Sequence, residues 1–227
     1  AGSATGDGEG TTHAPLWSAT ASHNTRGWGV FQHLAAVHPD FRARTGLVER
    51  TDVVQSQSFV RLSRFGRPRG ALEGWTGRVI LNGTWLHEPF FRGEAPLETK
   101  LWLEGGAKLR GGWSLVLTRM WESFAFDLRE YAHLRVEAPR VGAAPDTAAF
   151  RVSPRVHTGG WYFTGDTPRF RHFTASLVAF RGLDPYFAET LAARRFDVDA
   201  SLRWSLGDRL RVGASHAHSE FLRPEDG

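Results

Sequence analysis

The run Glu98 to Arg110 constrains the fold more than any other stretch of the chain. Leu97, Thr99, Leu101, Leu103, Gly105, Ala107 and Leu109 carry no charge, whereas Glu98, Lys100, Glu104, Lys108 and Arg110 carry nearly all of it. Only a period of two separates these sets, so the segment reads as a β-strand with one apolar face and one polar face. It is about thirteen residues long, where soluble strands have roughly five or six and a tilted membrane-crossing strand needs roughly 9–11.

The pattern recurs. Phe196, Val198, Ala200, Leu202, Trp204 and Leu206 oppose Asp197, Asp199, Ser201, Arg203 and Ser205. Ala148, Phe150, Val152, Pro154 and Val156 oppose Arg151, Ser153, Arg155 and His157. Trp75 and Trp85 end a third alternating segment, ten residues apart. At about 3.3 Å per residue and a tilt of about 40°, those indoles stand roughly 25 Å apart along a membrane normal, the height of an outer-membrane apolar band.

Ten strands are expected, near 14–23, 27–37, 52–64, 71–86, 97–109, 113–126, 147–163, 169–181, 195–206 and 209–221. Tight turns with Gly, Pro, Asn and Asp chemistry alternate with longer connections, near 38–51, 87–96, 127–146 and 182–194. Short turns on one rim and long loops on the other are the outer-membrane arrangement. Asp184-Pro185 is a plausible helix start in the last long connection. The fold class expected is therefore all-β: an antiparallel up-and-down meander, as a transmembrane β-barrel or a partial barrel of about ten long strands. Residues 1–13 are expected as a flexible segment and 14–227 as the barrel, a fragment of a larger one. The opening Ala1-Gly-Ser lacks a start methionine and the end lacks a closing aromatic, so a longer secreted precursor is expected.

Apolar runs are too short for a transmembrane helix, so a membrane protein of this pattern has to close its hydrogen bonds strand to strand. The chain has no cysteine, which removes disulfides and thiolate metal sites. Acidic residues interleave with basic ones, which argues against nucleic acid.

Several phases are imperfect, and Trp28 to Val37 and Val53 to Phe65 show no clean phase at all. Arg119 falls on the odd face of Trp113–Phe126, where mid-bilayer exposure would cost roughly 2–4 kcal/mol. Pro154 cannot donate to a ladder, so a bulge or edge is expected there.

Candidate site residues follow from the faces. Arg151, Arg155, His157, Asp197, Asp199, Arg203, Glu98, Lys100, Glu104 and Lys108 are the expected lumen network, either a charged constriction or an ion-paired plug. Trp75, Trp85, Trp161, Tyr162, Phe163 and Trp204 are the expected interfacial girdle. His216 and His218 share a strand face with Glu220, a weak two-ligand metal signal beside a plainer reading as polar rim or lumen residues. No Gly-x-Ser-x-Gly elbow, P-loop or dinucleotide fingerprint occurs, and no cofactor is expected.

Asp40-Phe41-Arg42-Ala43-Arg44-Thr45-Gly46-Leu47 through Arg50-Thr51-Asp52, Gly111-Gly112-Trp113-Ser114-Leu115 and Trp121-Glu122-Ser123-Phe124 resemble motifs of a bacterial outer-membrane barrel family catalogued as domain of unknown function 5916. Leu47 stands where that family usually has Phe. The likeness runs from about Trp17 to the end. It implies a barrel that usually follows a signal peptide and a module similar to family-9 carbohydrate-binding domains, and it implies no catalytic residues. The expected function is a non-catalytic outer-membrane anchor or narrow pore for a surface or periplasmic carbohydrate-related module. Its partners would be membrane lipid and a carbohydrate or small solute. Two alternatives stay open: a soluble β-sandwich that binds carbohydrate, and an outer-membrane hydrolase dependent on His157, His172 or His216.

Overall fold

A computed structural model describes residues 2–6, 11–42, 50–126, 131, 133–138, 146–150, 153–168, 170, 172–207 and 209–223. The fold is all-β. Strands run in chain order as β1 (Gly2–Gly6), β2 (Thr11–Asn24), β3 (Trp28–Val37), β4 (Val53–Phe65), β5 (Leu72–Leu86), β6 (Glu98–Leu109) and β7 (Trp113–Phe124). They continue as β8 (Arg135–Ala138), β9 (Asp146–Ala149), β10 (Val156–Asp166), β11 (Phe173–Tyr186), β12 (Leu191–Leu206) and β13 (Leu210–Leu222). The helix α1 is the five residues His87–Phe91. No helix among the described residues is long and apolar enough to cross a membrane.

One sheet has the order β1-β2-β3-β4-β5-β6-β7-β10-β11-β12-β13, and β8 pairs β9 separately. Every pairing is antiparallel, so the main sheet is an up-and-down meander of ten long strands plus the short β1. Its two edges, β1 and β13, do not pair, so the sheet is open rather than closed into a barrel. Gly2–Gly6, expected within a flexible segment, instead pairs with Thr11–Pro15.

Two expectations about elements fail. The connection after Asp184 is a hairpin, with no helix: Asp184, Pro185 and Tyr186 extend β11 and pair with Ala193, Ala192 and Leu191. Buried Thr190 closes the four-residue turn at φ 51° and accepts a hydrogen bond from the Ser153 N–H. The span 147–163 is also two elements. Asp146–Ala149 belongs to the small sheet, a bend falls at Pro154, and β10 starts only at Val156. Proline cannot donate a ladder hydrogen bond, which is why the strand breaks there.

Within β10 and β11 the chains approach unusually closely. Gly160 pairs with Gly182, and a Cβ on Gly160 would lie 2.3 Å from the Arg181 carbonyl oxygen. The neighbouring Gly159 takes φ +121°, a region L side chains avoid.

Among the described residues there is no globular core. Seven apolar residues are buried among the described residues: Ala14, Ala36, Val53, Val54, Phe126, Val156 and Ala193. Thirty large hydrophobic residues among the described ones are exposed. The accessible surface is 16131 Å² for a 25.3 kDa chain, where a compact monomer of that mass has about 10,300 Å².

Candidate functional site

Register, more than any single residue, builds the candidate site. Cross-strand partners share a face, so the pairings sort every described strand residue onto one of two surfaces. One rung of the apolar surface runs Trp28, Leu62, Gly77, Gly105, Leu117, Phe163, Ala179, Val198 and His218. Of the nine tryptophans, Trp102 alone lies on the other surface, leaving eight on this one.

Those eight form two lines. Measured from the rung through Trp28, Trp75, Trp113 and Trp204 stand two, four and six residues toward the short turns, on β5, β7 and β12. Trp17, Trp85, Trp121 and Trp161 stand eight, eight, four and two residues toward the long loops, on β2, β5, β7 and β10. From Trp28 to Trp204 the first line descends six residues over seven strand steps; the second is level from Trp17 to Trp85 and then falls to Trp161, six residues over six strand steps, so both average about one residue per strand. With about 3.3 Å per residue and 4.8 Å between strands, both lines cross the rungs at roughly 30–35°. Their mean slopes agree; ten residues separate them on β5 and eight on β7, and taken through all eight tryptophans the lines stand about eight residues apart along a strand, roughly 22 Å perpendicular to the lines. A transmembrane barrel has strands tilted about 35–45° and an apolar band about 25 Å tall between aromatic girdles.

Between the lines the apolar face carries one formal charge among the described residues, Arg119, two residues inside Trp121. Its guanidinium lies 4.9 Å from the Trp121 ring centroid and 5.4 Å from that of Trp161, so the arginine stays on the apolar face without a bulge and sits near the girdle. Gln32, Ser56 and Ser58 are the polar group nearest mid-height. Gln32 donates to Ser56 Oγ at 3.1 Å and accepts from Ser58, so the three satisfy one another. Phe31 and Phe59 stack at 5.2 Å on the opposite face. Polar residues on the apolar side and aromatics on the polar side explain why β3 and β4 show no clean alternation.

The opposite surface holds the charges. Glu98, Lys100, Glu104 and Lys108 of β6 and Asp197, Asp199 and Arg203 of β12 share it, as the alternation implies. Its carboxylates are the recessed groups: the Glu98 and Glu104 side chains are 21% and 22% exposed, while those of Lys100 and Arg78 are 38% exposed. Arg78, cross-strand from Arg61, lies 3.2 Å from Glu104. Trp102 donates its indole N–H to Glu122 at 2.7 Å. Arg195 reaches both Asp184 and Asp197 at 2.5 Å, and Ser219 donates to Asp197 at 2.6 Å. Arg78, Trp102, Glu122 and Arg195 join the charged surface by the same alternation, whereas Arg61, in a strand with no clean phase, and Asp184, expected in a loop, are placed there only by the pairings.

Several expected members lie elsewhere. His157 pairs with Ser123, on the apolar-face side and beyond the second tryptophan line. Arg155 precedes β10, donating to Ser123 Oγ at 2.9 Å and to the Pro96 carbonyl at 2.5 Å. The break at Pro154 reverses the phase expected for them, because β10 puts its even residues on the polar face. Tyr162 consequently faces the charges, paired with Thr118 and Phe180, while Trp161 and Phe163 face the other way; consecutive strand residues cannot share one girdle. Trp75, Trp85 and Trp204 lie on the apolar face as expected. Arg151 and the middle of the Asp40–Asp52 motif lie outside the described residues.

His216 and His218 pair with Ala200 and Val198 on the apolar face of edge strand β13, not on the polar one. Glu220 lies 4.0 Å from His218. Among the described residues no group of three or more His, Asp or Glu comes together to hold a metal ion.

Aromatic rings gather at the long-loop end: Phe124 contacts Phe126 and Phe187 at 4.9 and 5.3 Å, and Tyr131 stacks on Phe150 at 6.2 Å. Phe124 lies on the charged-face side of β7, so the connection between β7 and β10 packs at that face's long-loop end.

No protein-family model, curated protein or solved structure matches this chain.

Proposed function

We propose that this chain forms the wall of a bacterial outer-membrane β-barrel, as a non-catalytic anchor or narrow pore. The tryptophan-bounded face meets acyl chains and the charged face lines the lumen. The observation that carries this reading is the pair of parallel tryptophan lines bounding a nearly charge-free face. Indoles concentrate at membrane–water interfaces because one end is apolar and the other wet. A soluble protein has no reason to hold two such lines roughly 22 Å apart at the strand tilt of a barrel. The resemblance to the uncharacterised barrel family points the same way and brings with it the carbohydrate-related module as neighbour.

Long loops face outward in such barrels, which puts α1 and the β7–β10 connection at the cell surface. The ion pairs of Arg78, Arg195 and their carboxylates, with the aromatic cluster at one end, favour a constricted lumen over a wide bore. A soluble carbohydrate-binding sandwich would need a second sheet on the apolar face, and among the described residues β8 and β9 are the only strands outside the main sheet.

The test is reconstitution with lipids brominated at defined acyl positions. Strong quenching of tryptophan emission by bromines near the headgroup, with a heat-modifiable band on gels, is expected. Full recovery in the aqueous fraction with unquenched emission would refute the reading.

A further inference from the structure

Three arginines stand on the apolar face near the long-loop tryptophan line. Arg119 and Arg181 are both direct cross-strand partners of Trp161, one on each side. Arg194 pairs with Leu183 and lies two residues from Phe196, the partner of Arg181. Two strand spacings separate Arg119 from Arg181, about 10 Å, and Arg181 and Arg194 are diagonal neighbours about 7–8 Å apart. Among the described residues no carboxylate lies within ion-pair distance of any of the three, as it does for Arg78, Arg92, Arg195 and Arg223 though not for every other arginine. The nearest acid on that face is Glu220, the partner of Phe196, and it lies beside His218. Arg119 and Arg181 flank the interfacial indole and Arg194 lies one strand beyond Arg181; unneutralised guanidiniums so grouped are costly in a low-dielectric setting unless an anion joins them.

The same strands offer a second feature. Toward the short turns from Trp161 and Arg181, a groove of about 620 Å³ crosses β10 to β13 on the apolar face. Small residues Gly165, Ala175, Ala200 and Ala214 form its floor, with Phe163 and Trp113 at its β7–β10 end. Cations at the girdle above an apolar trough in the band match an amphiphile, with phosphate at one end and hydrocarbon at the other.

Resting on the membrane reading, we infer that Arg119, Arg181 and Arg194 bind the phosphate of an anionic lipid headgroup whose acyl chain lies in this groove. Guanidinium forks suit phosphate oxygens because two parallel N–H donors meet two acceptors. The indole of Trp161 holds Arg119 in place for that contact.

The experiment compares the full chain folded in detergent micelles, titrated with dimyristoylphosphatidylglycerol, dimyristoylphosphatidylcholine or inorganic phosphate, and read by native mass spectrometry. Expected is a preference on the order of tenfold for the glycerol lipid over the choline lipid, lost in the Arg181→Gln/Arg194→Gln double variant and kept in Arg64→Gln at the other rim. Ala200→Leu, which fills the groove, should weaken the glycerol lipid several-fold, and millimolar phosphate should fail to displace it. A heat-modifiable band shows that each variant has folded. Equal retention of both lipids, an unchanged double variant or displacement by inorganic phosphate would overturn the inference. A chain that inserts but shows no lipid preference sinks this inference alone, and a chain that stays in water sinks the membrane reading with it.

Discussion

Replacing Leu117 with arginine probes the slab directly. Leu117 lies on the apolar face of β7, 46% exposed, between partners Gly105 and Phe163. Four residues separate it from Trp113 and four from Trp121, which at the strand tilt is roughly 11 Å of depth from each line. That is the midplane of the proposed band. An arginine there costs about 2–4 kcal/mol in a lipid-facing position, falling to about 0–1 kcal/mol near the interfaces. The folding equilibrium in lipid should therefore drop roughly 30- to 700-fold. Val116→Arg, one residue away on the charged face, should cost under about 1 kcal/mol because it enters a hydrated, ion-paired surface. The assay is urea unfolding in phosphatidylcholine vesicles, followed by tryptophan emission, with the midpoint difference converted through the common slope. If Leu117→Arg shifts the midpoint no more than Val116→Arg does, the apolar face is not in lipid and the slab argument is wrong.

Gly160→Ala should destabilise by about 1–3 kcal/mol, since its methyl would meet the Arg181 carbonyl oxygen 2.3 Å away; Gly105→Ala, with nothing within 4 Å, should be near neutral in the same unfolding assay. Trp102→Phe removes the donor to Glu122 and should cost about 1–2 kcal/mol. Because Trp102 alone faces the charges, the same variant should leave the extent of quenching by brominated lipid unchanged or raised, and a marked fall in quenching would contradict its placement. Arg119→Leu, near the girdle rather than the midplane, should change stability in vesicles by no more than about 1 kcal/mol, and a gain of several would place Arg119 much deeper than the tryptophan lines imply.

Alternation in β5, β6 and β12 already assigns the faces of Trp75, Leu101, Glu104, Asp197 and Trp204, and turn chemistry locates most strand ends within a few residues. Both are local: successive Cβ atoms point to opposite sides of an extended backbone, and Gly, Pro, Asn and Asp bend it whatever lies across the ladder. Register is not local. Which residue of β7 stands opposite Trp161 depends on hydrogen bonds between segments about forty residues apart, so no window of sequence shows that eight tryptophans fall into two parallel lines. Neither does one show that Arg119 and Arg181 flank one indole with Arg194 diagonal to Arg181. Tertiary structure also decided the cases where a local pattern misled: a proline at 154 split one apparent strand and reversed the faces of His157 and Tyr162, and hairpin pairing with Leu191–Ala193 outweighed the helix-start signal of Asp184-Pro185. The alternation of a single strand says that there are two surfaces; only hydrogen bonding across all of them says what each surface is assembled from.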